Sequence, residues 1–187
     1  QSLQIGIGGF LPRGFDARGT NDVLRRNFVG DALPADPTVT DALAFEFRDF
    51  RSTNVFAEWN VSFGPHVEVG AGLGFHRKSV PTVYRDLVDP DFNEITQQIR
   101  LRVAPITAVV RFLPVGDHGS VQPYLGFGVS AMRFRYTEIG SFVDPVTLDI
   151  FENFNTPYVA TGTAIGTVLL GGVRLPLGGD IYALSLE

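Results

Sequence analysis

From Gln97 to Tyr136 the side chains alternate in character with a period of two. Ile99, Leu101, Val103, Pro105, Thr107 and Val109 share one face. Gln98, Arg100, Arg102, Ala104 and Ala108 share the other. After a turn at Leu113–Ser120, Val121, Pro123, Leu125, Phe127, Val129 and Ala131 alternate with Gln122, Tyr124, Gly126, Gly128 and Ser130. Successive side chains of a strand point to opposite faces of a pleated sheet, so this period predicts two paired strands. The same rhythm predicts a first strand over Ser2–Phe10, with Leu3, Ile5, Ile7 and Gly9 against Gln4, Gly6, Gly8 and Phe10. A second strand runs over roughly Phe45–Phe63 and a third over His66–Arg77, joined at Gly64-Pro65. Here Val55, Ala57, Trp59, Val61 and Phe63 oppose Phe56, Glu58, Asn60 and Ser62. Val67, Val69, Ala71, Leu73 and Phe75 likewise oppose Glu68, Gly70, Gly72 and Gly74. A sixth strand is expected over about Pro157–Leu175, with Ile165, Thr167, Leu169, Gly171 and Val173 on its apolar face and Gly166, Gly172 and Arg174 opposite. A turn at Pro176–Gly179 leads to a seventh strand from Asp180, in which Tyr182, Leu184 and Leu186 alternate with Ala183, Ser185 and Glu187.

The connections alternate in length. Long segments are expected at about residues 11–43, 78–93 and 137–156, and short turns between. The long ones fall at one end of the sheet and the short ones at the other. A water-soluble sandwich or lipocalin has no physical reason to segregate loop length in this way. A membrane barrel does, and it also reverses the usual polarity, with aliphatics toward lipid and small or polar residues toward the lumen. The expected fold is therefore all-β: a single up-and-down antiparallel transmembrane β-barrel domain with its amino terminus on the periplasmic side. Glycine on the inner faces suits a narrow, curved wall.

Composition narrows the chemistry. A net charge of −5 without a basic stripe argues against nucleic acid. The absence of cysteine excludes disulfides and thiolate metal sites. No run of ~20 apolar residues exists to make a transmembrane helix. The opening Gln1-Ser2-Leu3-Gln4 lies directly in a strand pattern, as in a mature secreted protein. Lysine occurs once among 15 basic residues, and arginine suits planar pairing with carboxylates or phosphates.

The segments Gly8-Gly9-Phe10-Leu11-Pro12-Arg13-Gly14, 57–75, 83–89, 100–116, 122–130 and 171–187 together resemble small outer-membrane barrels of the eight-stranded OmpA/OmpW type. The resemblance implies an outer-membrane location in a Gram-negative bacterium and says little of biochemistry. It also implies an eighth strand ending in an aromatic residue. Glu187 falls within strand seven, so a truncated sequence is expected, or a neighbouring membrane protein that supplies the missing strand at an open edge.

Three groups of site residues follow. Glu58 and Glu68, with Arg100, Arg102 and Glu187, are expected to form a lumen salt-bridge network, since an eight-stranded interior is only wide enough for side chains. Arg133 and Arg135, on the outward face of strand five past the roughly ten residues that span lipid, are expected at the outer rim, against lipopolysaccharide phosphates. Trp59, Phe63 and Phe75 are expected as interface aromatics. Arg111 is expected to snorkel outward at the periplasmic interface, and Tyr124 to pack inside. His66, His76 and His118 lack metal-ligand spacing. A Ser79/His76/Asp86 site is conceivable, but no motif supports it. No enzyme activity, cofactor or metal is expected. The function expected is structural or surface interaction, through long outer loops over a plugged lumen. The alternatives are a narrow channel or carrier for small hydrophobic solutes, a subunit of a larger outer-membrane complex, and a soluble lipocalin-like binder.

Overall fold

A computed structural model describes residues 1–11, 43–144, 147, 149–177 and 182–187. The connection expected over 11–43 lies almost entirely outside these residues, as do Arg13, Gly178 and Gly179. Among the described residues the protein is all-β apart from one short 3₁₀ turn, Phe47–Phe50. Seven antiparallel strands form one sheet in sequence order: β1 (Ser2–Phe10), β2 (Ser52–Ser62), β3 (Val67–Val88), β4 (Glu94–Phe112), β5 (Gln122–Val143), β6 (Ile150–Pro176) and β7 (Ala183–Leu186). No ladder joins β1 to β7 among the described residues, so the sheet is open there.

The connections expected over 78–93 and 137–156 are strand for most of their length. β3 continues to Val88 and turns through 89–93 into β4, while β5 continues to Val143. Charged and polar residues broke the simple apolar rhythm there, yet Val80, Tyr84, Ile95, Ile99 and Val143 still alternate onto one buried face.

The strands divide into two zones of opposite polarity. In the zone nearer the short turns, the outer face is apolar on every strand. Leu3, Ile5, Ile7, Val55, Trp59, Leu73, Ile106, Phe127, Ile165 and Leu169 are all exposed there, Leu169 to 87%. From Val67 to Phe75, Ala104 to Phe112, and Val121 to Ala131, no charged residue interrupts this outer face. In the zone beyond, the polarity reverses. Arg77, Ser79, Gln98, Arg100, Arg102, Arg133 and Arg135 face outward. The inner face packs a core of Leu43, Phe50, Val80, Tyr84, Ile95, Ile99, Leu101, Val103, Tyr136 and Val143. Phe50 is delivered by the 3₁₀ turn, which Glu46 and Asp49 cap reciprocally. The segment before it is tied to β3 by the Ala44 N–H on the Val83 carbonyl, 2.8 Å.

This reversal corrects the expected phase of β4. Ile99, Leu101, Val103, Pro105, Thr107 and Val109 point inward, and Arg100 and Arg102 point outward with Ile106, Val110 and Phe112. The ladder with β5 runs without a shift from Gln97↔Gly140 to Phe112↔Leu125. The backbone phase is therefore continuous, and it is the surroundings that change between Val103 and Ile106.

Candidate functional site

The inner face near the short turns carries an ionic network. β2 contributes Glu58 and Asn60, β3 Glu68, β4 Arg111, β5 Tyr124, β6 Arg174, and Glu187 follows β7. Alternation places each of them inward, because all sit on the parity opposite the apolar outer residues. Arg111 is 2% exposed. Its Nη1 donates to Glu58 Oε1 and, at 2.6 Å, to Asn60 Oδ1. Its Nη2 lies 3.6 Å from Glu187 Oε2. Arg174 grips Glu68 with two parallel bonds, Nη1 to Oε1 at 2.8 Å and Nη2 to Oε2 at 2.9 Å. This fork geometry is among the stronger protein hydrogen-bonding arrangements. The Tyr124 ring is close to both guanidinium groups, 5.4 Å from Arg111 and 5.9 Å from Arg174, and its hydroxyl donates to Glu187 Oε2 at 3.1 Å.

β3 and β6 are separated in the sheet by β4 and β5, so the Glu68–Arg174 pair spans the concavity. The sheet must curl sharply to allow this, and glycine makes the close approach possible. A Cβ on Gly172 would fall 2.6 Å from the Tyr124 hydroxyl, and one on Gly72 the same distance from Thr107 Oγ1.

Glu58, Glu68 and Glu187 thus come together as the sequence suggested, but their cationic partners are Arg111 and Arg174. Arg100 and Arg102 lie on the other face. Arg100 Nε donates to Ser79 Oγ at 3.0 Å and its Nη2 reaches Gln98 Oε1 at 3.4 Å. The expected outward snorkelling of Arg111 is overturned for the same reason: its parity is inward throughout β4. The signal that could have found it was Phe112, Val110 and Ile106, an apolar set on the opposite parity. Tyr124 packs inside as expected. Arg133 and Arg135 are exposed on the outer face of β5, and Trp59, Phe63 and Phe75 are exposed at 52%, 64% and 49%.

Beside the network, toward the open side of the sheet, lies a cavity of about 1630 Å³. Ile5, Phe56, Thr107, Leu170 and Arg174 are among the residues that line it. The histidines are dispersed. His66 Nδ1 lies 2.8 Å from the Leu113 carbonyl at the turn end. His76 stacks on Phe10 with centroids 3.9 Å apart. His118 is exposed beside Asp117. His76 and Ser79 occupy opposite faces of β3, which separates the two groups of the conceivable Ser/His site. The Asp86 side chain lies outside the described residues. Among the described residues no group of three or more His, Asp or Glu converges as a metal site would require. No family model, curated protein or solved structure matches the chain.

Proposed function

We propose that this chain is a non-enzymatic β-barrel-type protein of the bacterial outer membrane, of the OmpA/OmpW kind. Its uncharged outer zone would lie in lipid, and its long strands would carry a surface for interaction beyond the bilayer. The observation that carries this reading is the reversal of polarity along unbroken strands. Water on both sides of the sheet would favour polar outer residues along the whole length of β3, β4 and β5. An apolar face this extensive is instead the mark of contact with lipid or another protein. Its height supports lipid. Eight to ten residue steps at ~3.3 Å give roughly 26–33 Å along the strand. At the ~40° tilt of such strands this amounts to ~20–25 Å, close to the ~25 Å apolar band of outer-membrane barrels.

The inner surface supports a structural rather than a conducting role. The ionic network occupies the end near the short turns, and the apolar core occupies the other. The charges of the network are paired, as their desolvation requires.

Trp59, the single tryptophan, lies within the apolar zone and is half exposed. After reconstitution, its emission should shift to the blue and be quenched by lipids brominated deep in their acyl chains. Emission unchanged from that in water, with the protein monodisperse in buffer without detergent, would favour the lipocalin-like alternative.

A further inference from the structure

We propose that five outer-face arginines, Arg77, Arg100, Arg102, Arg133 and Arg135, form a docking site for a lipid carrying closely spaced phosphates. The inference rests on the membrane reading above and names a ligand class for the surface just beyond the apolar zone. Arg133 and Arg135 were legible as rim residues. Arg100 and Arg102 join them only because β4 presents its odd-numbered side chains inward and its even-numbered ones outward, and Arg77 because it continues the outward parity of Phe75 on β3.

The ladders set the arrangement. Arg77 of β3 stands directly opposite Arg102 of β4, and Arg102 directly opposite Arg135 of β5. Arg133 and Arg100 flank this row, opposite Ala104 and Ser79 respectively. Adjacent strands are only ~4.8 Å apart, and like charges directly opposite one another destabilise a sheet. Among the described residues none of the five pairs with a carboxylate. Across the next ladder Arg133 and Arg135 meet Thr163 and Thr161, which are neutral. Arg102 Nε is buried and has no hydrogen-bond partner among the described residues. An array of guanidinium groups without internal counter-charge is what a multivalent anion would complete, and each planar fork matches phosphate oxygens.

The location selects a lipid phosphate over a free one. In the ladders Ile106, Ala131 and Ile165 follow one another across β4, β5 and β6, on the outer face and next to the arginines. Acyl chains laid on these residues would bring the headgroup phosphates to the array.

The test uses the full chain in a neutral, phosphate-free detergent. Binding is followed by native mass spectrometry and the unfolding midpoint by circular dichroism. The probes are a diphosphorylated glucosamine lipid, the same lipid dephosphorylated, and inorganic phosphate. The diphosphorylated lipid should bind and raise the midpoint. The combined Arg77→Gln, Arg102→Gln and Arg135→Gln variant should bind it roughly a hundredfold more weakly, from the ~fivefold that each arginine contributes at an anionic surface. The same variant should unfold at a higher temperature than the parent when no lipid is present, because the repulsion is gone. Arg48→Gln, at an exposed residue paired with Glu46, should leave binding unchanged. Equal affinity for both lipids, or a lower lipid-free midpoint in the triple variant, overturns the proposal. So does full reproduction of the stabilisation by inorganic phosphate. Should the triple variant not fold, the comparison of the two lipids on the parent chain decides. Failure of the membrane reading would show itself separately, as a Trp59 that remains in water whichever headgroup is offered.

Discussion

Arg111 illustrates how much a single inward position can concentrate. It is shielded from water, pairs with Glu58 and donates to Asn60, while Glu187 approaches from the far side of the concavity. Removing one partner of a buried pair strands the other charge, whereas removing both does not. Glu58→Gln alone should therefore cost about 3 kcal/mol of unfolding free energy. Combining it with Arg111→Met should restore a large part of that loss. A double-mutant cycle on urea unfolding in detergent would measure the coupling, and additive losses would show that the pair is not coupled. Gly128 sits two residues from Gly126 on the same inner face, and a Cβ there would lie 2.8 Å from the Val109 Cα. The obstacle is backbone, which cannot rotate aside, so that position has no room for a larger residue.

At the scale of elements, the turn between β3 and β4 shows how a strand pair extending past the apolar zone is held in register. Asp89 Oδ1 accepts the N–H groups of Asp91 at 2.9 Å and Asn93 at 2.7 Å, and Oδ2 accepts Asn93 Nδ2 at 3.2 Å. Phe92 takes a φ of 63°, uncommon for a residue with a bulky side chain, so the turn needs these bonds. The Asn93 N–H and side chain stabilise the carboxylate and hold the Asp89 pKa below its ordinary value. A depressed folded-state pKa contributes order above the ordinary aspartate range, and that contribution is lost as pH falls through the folded value. The protection factor of the Asn93 amide, the intrinsic exchange rate divided by the observed rate at each pH, should accordingly be high at neutral pH and fall on acidification to below the ordinary aspartate range. Asp89→Asn should remove the pH dependence. Exchange independent of pH-linked opening in the parent chain would contradict this.

At the scale of the whole molecule, the two zones place different fillings at the two ends of the concave side. One end holds charges paired across the sheet, and the other an apolar core that includes Phe50 and Leu43. The cavity beside the network reaches the short-turn end at His118 and Ser120, but the apolar core fills the opposite end, so the interior should not pass ions at a measurable rate. Planar-bilayer recordings should be flat for the parent chain and remain so for Glu68→Gln. Discrete conductance steps that respond to Glu68→Gln would support the channel alternative instead.

What the residues determined by themselves was the strand rhythm, the turns at Gly64 and Leu113–Ser120, and the faces of β1, β2, β3, β5, β6 and β7. In those strands one face is apolar and the other small or polar near the turns, and a period of two cannot be confused with a helix. The acidic half of the inner network was legible for the same reason. The phase of β4 was not. Its apolar residues change parity between Val103 and Ile106, and two parities are equally consistent with a strand until it is known which stretch lies in the apolar zone. Only the ladders to β3 and β5 decide that, because they carry the phase of clearer neighbours across the sheet. The tertiary structure therefore exchanged Arg100 and Arg102 for Arg111 and Arg174 inside, and assembled an arginine array outside. Hydrogen bonding across the sheet sets the direction of a side chain, while hydrophobicity alone records only what surrounds it.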